Sequence, residues 1–300
     1  MVEVRRTSLP SHDGAQLYGP LLFHGRMYQR LRRYEHLAAT GCTAVLSSQP
    51  HPAWRCEPAG AEWPHLGDPG RNDASIHVLQ ACVPHRRLLP VGCDQFTVHQ
   101  SAPPGQDGAG DLVLAAVERA HVDGIYTYDV AVRDGRAQPV LSWRGLRLRD
   151  VGPNTALTKW PKLLVEPYLQ RAVDALLPDA GPRLVSAYQP VAQQAELDTS
   201  RLLMPWTDQA DLLAKLTGES DAHVLTRLCA ARLCLSKIGV TRQPPLVVHG
   251  AFEHGWIVLK AGMDSIASVV LRIEGEKHPV AVAVLAKGDE CCPTSSMSTL

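Results

Sequence analysis

Apolar and polar positions alternate with a period of two over four stretches in the first half of the chain. These are LLPVGCDQFTVHQ (88–100), LVLAAVERAH (112–121), GIYTYDVAVR (124–133) and QPVLSWRGLRLR (138–149), all rich in Val, Tyr or Trp. Such alternation predicts half-buried strands. LAATGCTAVLS (37–47) reads as one more strand, and Asp134-Gly135 marks a hairpin. Between these strands the period changes once. Ile76, Leu79, Ala81 and Val83 fit the apolar face of a helix that Asn72 caps and Pro84 limits to about three turns. The stretches 50–70 and 101–110 are rich in Pro and Gly, lack a period and read as loops.

In the second half the helical period dominates at first. Residues 162–177 (KLLVEPYLQRAVDALL) predict a helix with Leu169, Val173, Leu176 and Leu177 inward, and 208–216 a shorter one. The clearest helix runs from Ser220 to Ile238. Ser220 is its cap, Val224, Leu228, Ala231, Leu235 and Ile238 are its stripe, and Gly239 is its stop. Four short strands follow, at 244–250, 255–262, 266–275 and 279–286. The fold class is therefore α+β. One helix followed by an antiparallel meander predicts a sheet wrapped around a central helix, the hotdog arrangement, with an ordinary α+β sandwich as the alternative. A smaller α+β domain comes after it.

Composition places the boundary. All the lysines lie from Lys159 onward, and nine of the thirteen histidines lie at or before His121. The change falls at the Gly/Pro/Asn cluster 151–155, which gives domains at 1–152 and 153–290 and a tail at 291–300. Thirty basic and thirty acidic residues cancel, so no net field attracts nucleic acid or anionic lipid. The N-terminus shows no apolar signal region and no run approaches the ~20 residues of a membrane helix, so a cytoplasmic protein with no membrane partner is expected. Eight cysteines thinly spread do not form a disulfide framework. Cys82 with His85, and the Cys291-Cys292 pair, lack a second pair at zinc spacing, so no metal is expected. Trp206 and Trp256 read as core or interface residues.

On the first helix, Asp73 and His77 are four residues apart and share a face. A carboxyl held beside an imidazole can move protons. Such pairs are common, and spacing alone favours the plainer reading, in which Asp73 stabilises the positive helix start and His77 sits at the core edge. Sequence motifs add to this. The segment from Leu17 to Gly25 (LYGPLLFHG), continuing to Tyr28-Gln29, resembles the opening of the second hotdog half of polyketide synthase dehydratase domains. Asp73-Ala74-Ser75-Ile76-His77 is similar to that family's Asp-x-x-x-Gln/His helix motif. The flanking Gly67-Asp68-Pro69-Gly70 and the run 82–90 (CVPHRRLLP) look most like the enediyne-type iterative synthases. The resemblance covers about residues 14–150. It implies that Asp73 is the catalytic acid that protonates the departing hydroxyl of a 3-hydroxyacyl thioester, and that His77 orients it or the substrate. It also implies that Tyr18, Gly19, Pro20, Phe23 and His24 bind substrate. No cofactor is required beyond the phosphopantetheine arm of an acyl carrier protein, which is the expected partner.

The chain departs from the family at one point. The family's general base is a His in a His-x-x-x-Gly-x-x-x-x-Pro motif on the first hotdog half, and no such motif occurs here. His12 lacks the Pro, and His24 belongs to the opening of the second half and is not that base. A complementary hotdog half, a synthase or a second copy of the chain is therefore an expected partner, since an unpaired sheet edge invites association. In the second domain, Leu228 to Lys237 (LCAARLCLSK) resembles the Trp-x-x-Lys-Glu-Ala-x-x-Lys helix of 4′-phosphopantetheinyl transferases, over roughly 205–287. The metal-binding Glu of that family corresponds to Leu233 and its Trp to Cys229; only Lys237 is kept. Mg²⁺ needs carboxylate oxygens, so this domain is expected to be inactive and Lys237 to be a solvated cation rather than a coenzyme A ligand. The expected function is dehydration of carrier-bound 3-hydroxyacyl chains in polyketide, and hence antibiotic, biosynthesis. The alternatives are a non-catalytic module that binds a synthase or carrier protein and, further off, an active transferase.

Overall fold

A computed structural model describes residues 12–49, 67–99, 110–178, 185–190, 207–237 and 244–286. Most of the predicted loops over 50–70 and 101–110, at 50–66 and 101–109, lies outside the described residues, as do Cys56, Trp206, Ile238, Gly239, Cys291 and Cys292, while Pro69 and Gly70 open a helix instead. The chain divides into two compact units, Met1–Thr158 with Lys162–Arg171, and Lys159–Pro161 with Ala172–Leu300. Among the described residues no helix is long and apolar enough to cross a membrane.

The first unit is a hotdog. Its antiparallel sheet comprises β1 (His12–Asp13), β2 (Leu31–Ala38), β3 (Gly41–Leu46), β4 (Arg86–Gly92), β5 (Gln95–Val98), β6 (Leu112–Val122), β7 (Ile125–Arg133) and β8 (Pro139–Pro153). The order is β1-β2-β3-β6-β7-β8-β4, with β5 also on β8. Helix α1 (Pro69–His77) continues as a 3₁₀ turn through Cys82. Ala74, Val78, Leu79, Ala81, Cys82 and Val83 are fully buried against the sheet. The Tyr34 hydroxyl donates to the Val78 carbonyl at 2.7 Å, and Trp143 Nε1 donates to Ser75 Oγ at 2.7 Å.

The structure corrects several sequence expectations. Residues 37–47 are not one strand: β2 and β3 meet at Ala39-Thr40. The register of β2 shifts between Leu31 and Arg33 and again between Tyr34 and His36. These bulges place the buried residues at Leu31, Tyr34 and Leu37, a three-residue spacing that hides the strand period. The run 88–100 breaks into β4 and β5 around Cys93-Asp94. Asp123-Gly124 makes a two-residue hairpin, with φ of 51° and 70°, as a type I′ turn requires. At Asp134-Gly135 the left-handed residue is instead Ala137, and the Asp134 carboxylate accepts from the N–H groups of Arg136 and Gln138.

The helix cap is Asp68, not Asn72. Asp68 Oδ1 accepts from the N–H groups of Gly70 (2.8 Å) and Arg71 (3.3 Å), and Pro69 occupies the first helical position. Arg30 donates to both Asp68 oxygens, at 3.3 and 2.9 Å, in an ion pair buried on both sides. Gly70 allows this close approach, because a Cβ there would stand 2.8 Å from the Met27 carbonyl oxygen. Further along, helix α2 (Lys162–Leu176) tolerates Pro167 inside it. Arg171 of α2 pairs with Glu118, which also accepts from the Tyr128 hydroxyl at 2.9 Å. It donates to the Cys82 carbonyl at 3.1 Å.

The second unit contains α3 (Thr207–Thr217) and α4 (Asp221–Lys237) and a five-stranded antiparallel sheet. Its strands are β9 (Val185–Pro190), β10 (Val247–Ala251), β11 (Ile257–Ala261), β12 (Asp264–Leu271) and β13 (Val280–Ala286), in the order β10-β11-β12-β13-β9. The four predicted strands and the α4 stripe from Val224 to Leu235 appear as expected, and Trp256 is buried. Strand β9 escaped prediction. So did Arg227, which is fully buried on α4 and donates to the carbonyls of Ser268 (2.6 Å) and Gly255 (3.1 Å) and to Glu219. This sheet is not a second hotdog. In the first unit the strand entering the helix pairs with the first strand of the meander (β3 with β6), whereas here it pairs with the last (β9 with β13).

Candidate functional site

Asp73, Ile76, His77 and Gln80 fall at helical spacing on one side of the central helix and its 3₁₀ continuation. They form the floor of a cleft of about 420 Å³. Its walls are Leu21 to Gly25 and Tyr28 on one side, and Leu88, Leu89, Pro90 and Leu148 on the other. The Gln80 amide fixes the second wall, accepting from Leu88 N–H at 2.9 Å and donating to the carbonyls of Val83 and Arg86 at 3.0 and 2.6 Å.

The first wall is set by a tight loop. The Leu21 and Leu22 N–H groups both bond the Leu17 carbonyl, and the Gly19 N–H bonds that of Leu22. This reversal needs φ of +101° at Gly19, which glycine reaches without strain. Gly19 and Pro20, expected to bind substrate, are exposed in this turn and shape it rather than line the cleft. Phe23 lies at the rim, 77% exposed, with its ring stacked on His24 at 4.3 Å.

A chain of hydrogen bonds runs through the floor. The Tyr18 hydroxyl accepts from Leu31 N–H at 3.0 Å, so its own proton is directed at His77 Nε2, 3.1 Å away. Burial pushes the Tyr18 phenol up to about 12, against the pull of the backbone bonds to Leu31 and Arg30, which keeps that proton in place. His77, accepting at Nε2, carries its proton on Nδ1 and donates it to Asp73 Oδ2 at 3.0 Å. Tyr18 thus stands behind the cleft and sets the His77 tautomer, which in turn aims the Asp73 carboxyl. On the other side His24 Nε2 lies 3.4 Å from the same Oδ2, and its ring stacks on His77 at 3.9 Å. Burial first, and His77 next, push the His24 imidazole down to about 4 against the pull of Asp73, so it is neutral at pH 7. His24 Nδ1 is buried and makes no hydrogen bond.

The structure therefore gathers Tyr18, Phe23, His24, Asp73 and His77 at one place. Lys237, the last residue of α4, is exposed and belongs to the second unit. Sequence reasoning missed Gln80 and the β4 wall; the signal was present, since 73, 76, 77 and 80 share one helix face. The His24, Asp73 and His77 ligand atoms lie within 4.8 Å of one another, close enough to share one divalent cation. Cys82, weighed as a zinc ligand, is a fully buried free thiol in hydrogen-bond contact with the free thiol of Cys42.

Residues 2–157, just over half of the chain, match the family profile described as the polyketide synthase dehydratase N-terminal domain. Among solved structures, the dehydratase domain of a mycocerosic acid synthase-like polyketide synthase is 16% identical. That match covers 49% of this chain and 51% of that one, with a TM-score of 0.38. The dehydratase from the CurJ module of the curacin synthase is also 16% identical, covering 50% and 52%, with a TM-score of 0.37. The dehydratase domain of PpsC from Mycobacterium tuberculosis, in complex with C12:1-CoA, is 15% identical, covering 50% and 56%, with a TM-score of 0.36. The chain spans about half the length of these structures. No curated protein matches the sequence.

Proposed function

The chain belongs to the polyketide synthase dehydratase family, and on that footing we propose that its first unit removes water from a 3-hydroxyacyl chain carried on the phosphopantetheine arm of an acyl carrier protein. Asp73 is the general acid. It gives its proton to the departing hydroxyl at C3. His77 is a positioning residue, held by Tyr18 and holding the carboxyl. The apolar lining, Leu21, Leu22, Ile76, Leu88, Leu89 and Leu148, receives the acyl chain. The observation that carries this reading is the Asp73 carboxyl on the floor of an apolar cleft, with a Tyr18–His77 relay fixing its direction.

The Asp-x-x-x-His helix favours the second hotdog half, although the matching profile is described as the N-terminal domain. Under this reading the unit works in the cytoplasm beside an enediyne-type synthase, and a complementary hotdog half or a second copy of the chain covers its free sheet edge. We take the second unit to be a transferase-like domain without transferase activity, because Leu233 stands where the related helix carries a metal-binding Glu.

The test is intact-mass analysis of a 3-hydroxyacyl carrier protein incubated with the chain, alone and with a candidate partner half. Loss of one water is expected. Asp73→Asn should slow it by roughly 10²–10⁴-fold, the usual worth of a general acid. An unchanged rate in a folded Asp73→Asn variant would remove Asp73 from the mechanism, and no loss of water with or without the partner half would leave the non-catalytic binding module as the better reading.

A further inference from the structure

His24, Asp73 and His77 form a ligand set at the cleft that the dehydration step does not use as a set. We propose that they hold one first-row transition ion such as Zn²⁺, and that the bound ion switches the site off by taking Asp73 out of use as an acid. The binding stands on the geometry of the three side chains, while the switching rests on the dehydratase reading. The proposal replaces the expectation, drawn from cysteine spacing, that the chain holds no metal.

Both imidazoles turn a ring nitrogen toward the same carboxylate oxygen. His77 Nδ1 lies 3.0 Å from Asp73 Oδ2, and His24 Nε2 lies 3.4 Å from it. All three ligand atoms fall within 4.8 Å of one another. Around a tetrahedral zinc ion, with bonds of about 2.0–2.2 Å to nitrogen and oxygen, neighbouring ligand atoms stand about 3.3–3.4 Å apart. The two edges that meet at Oδ2 are already near this length. The third closes as the His24 ring turns toward His77, on which it is stacked at 3.9 Å.

Charge and outer contacts agree with an ion here. Among the described residues Asp73 has no Lys or Arg partner, and no Lys or Arg lines the cleft. A cation shared with the two imidazoles supplies the missing counter-charge in an otherwise apolar lining. His24 Nδ1 is buried without a hydrogen-bond partner, and its Nε2 reaches Asp73 at more than an ordinary hydrogen-bond length, so this ring has unspent ligand capacity. His77 Nε2 lies 3.1 Å from the Tyr18 hydroxyl, whose oxygen can accept the proton that a ring metallated at Nδ1 carries on Nε2. Two imidazoles and one carboxylate select Zn²⁺ or Co²⁺ over Mg²⁺ and Ca²⁺, which require oxygen ligands. A fourth position is left for water, on the side of the cleft that the three residues line.

Binding exchanges protons for the ion. The bond at Oδ2 displaces the acid proton of Asp73 to solvent. The bond at Nδ1 displaces the His77 proton, and that ring carries its single proton on Nε2 instead. The carboxyl can then neither donate to a leaving hydroxyl nor be aimed by His77, so dehydration stops until the ion leaves.

The test uses the full chain, stripped of metal by a chelator and titrated with Co²⁺, whose visible spectrum reports its ligands. One equivalent should bind with the absorption of a four-coordinate ion and without a sulfur-to-cobalt charge-transfer band, which excludes the cysteines as ligands. Zn²⁺ should bleach the spectrum and excess Mg²⁺ should not. His24→Phe keeps a ring between Phe23 and His77 and removes both nitrogens. This variant and Asp73→Asn should each weaken Co²⁺ binding by more than about 10²-fold, since losing a group that merely supports a ligand costs about 10–100-fold. Melting curves confirm that both variants fold. With a 3-hydroxyacyl carrier protein, alone and with a candidate partner half, Zn²⁺ should abolish water loss over the range in which it displaces Co²⁺, and chelator should restore it. No cobalt spectrum, a sulfur-ligated one, or binding that survives in the folded variants overturns the site, and the dehydratase reading stands if the stripped chain still removes water. A bound ion that leaves the rate unchanged overturns the switching. A chain that binds Co²⁺ through these residues but removes no water, stripped or loaded and with or without the partner half, keeps the metal site and ends the dehydratase reading.

Discussion

The position of the whole site hangs on Asp68, and its loss can be worked through. Asp68→Ala removes the acceptor of two N–H groups at the start of α1, which costs about 1 kcal/mol for an N-cap. It also strands the Arg30 guanidinium, which is 5% exposed. Burial already pulls Arg30 below the usual guanidinium range, and Asp68 is the partner that opposes this. Removing one partner of a buried pair costs about 3–5 kcal/mol. The two losses share one side chain and are not additive, so about 4 kcal/mol is expected. Asp68→Asn keeps the cap and loses the charge, and should fall between the wild type and Asp68→Ala. The double variant Arg30→Met/Asp68→Asn removes both charges and keeps the cap, and should recover most of the stability. Urea unfolding followed by hydrogen exchange in β6 and β7 peptides reads the first unit alone. A loss under about 1 kcal/mol in Asp68→Ala would refute the claim that this pair anchors α1, since even a cap alone is worth that much.

Two further outcomes are expected. His24 titrates near 4 in the fold against 6.5 when unperturbed. Between these values the unfolded chain takes up a proton that the folded chain refuses, so the first unit is fully stable above about pH 6.5 and loses stability as the pH falls toward 4. Asp73, His77 and Tyr18 face this group, so the melting profile of His24→Asn, which keeps all three, isolates its share; coincident wild-type and variant slopes over that window would contradict the burial argument. For the second unit, apo carrier protein with coenzyme A and Mg²⁺ should gain no phosphopantetheine mass, because Leu233 offers no oxygen to the ion; efficient loading would mean that other carboxylates hold it.

What was legible in the sequence was whatever repeats with a clean period. Strands β6, β7 and β8 and helix α4 follow from alternation or from a stripe, and each formed within a few residues of its expected place. What was hidden lies where the period is broken. The bulges of β2 convert a two-residue spacing into Leu31, Tyr34 and Leu37. Arg30, Asp68 and Arg227 are charges that composition assigns to solvent, yet partners far along the chain bury them. The Asp73–His77 pair was visible because its contact is four residues long. Tyr18 and His24 were visible only as motif residues. Their meeting with α1 is a contact across 59 residues in the case of Tyr18, and no local pattern encodes it.

The topology of the second unit bears on the missing base. Had that unit been another hotdog, its central helix or opening strand would have been the natural place to look for a second catalytic imidazole. Its helices instead sit between β9 and β10 with the meander running the other way, so its described residues build a different sheet. A base from a first hotdog half, whether joined to this chain or separate, would approach Asp73 past the rim at Phe23, Leu89 and Pro90. Association through the free sheet edge would have a separate role, in covering unpaired strand groups.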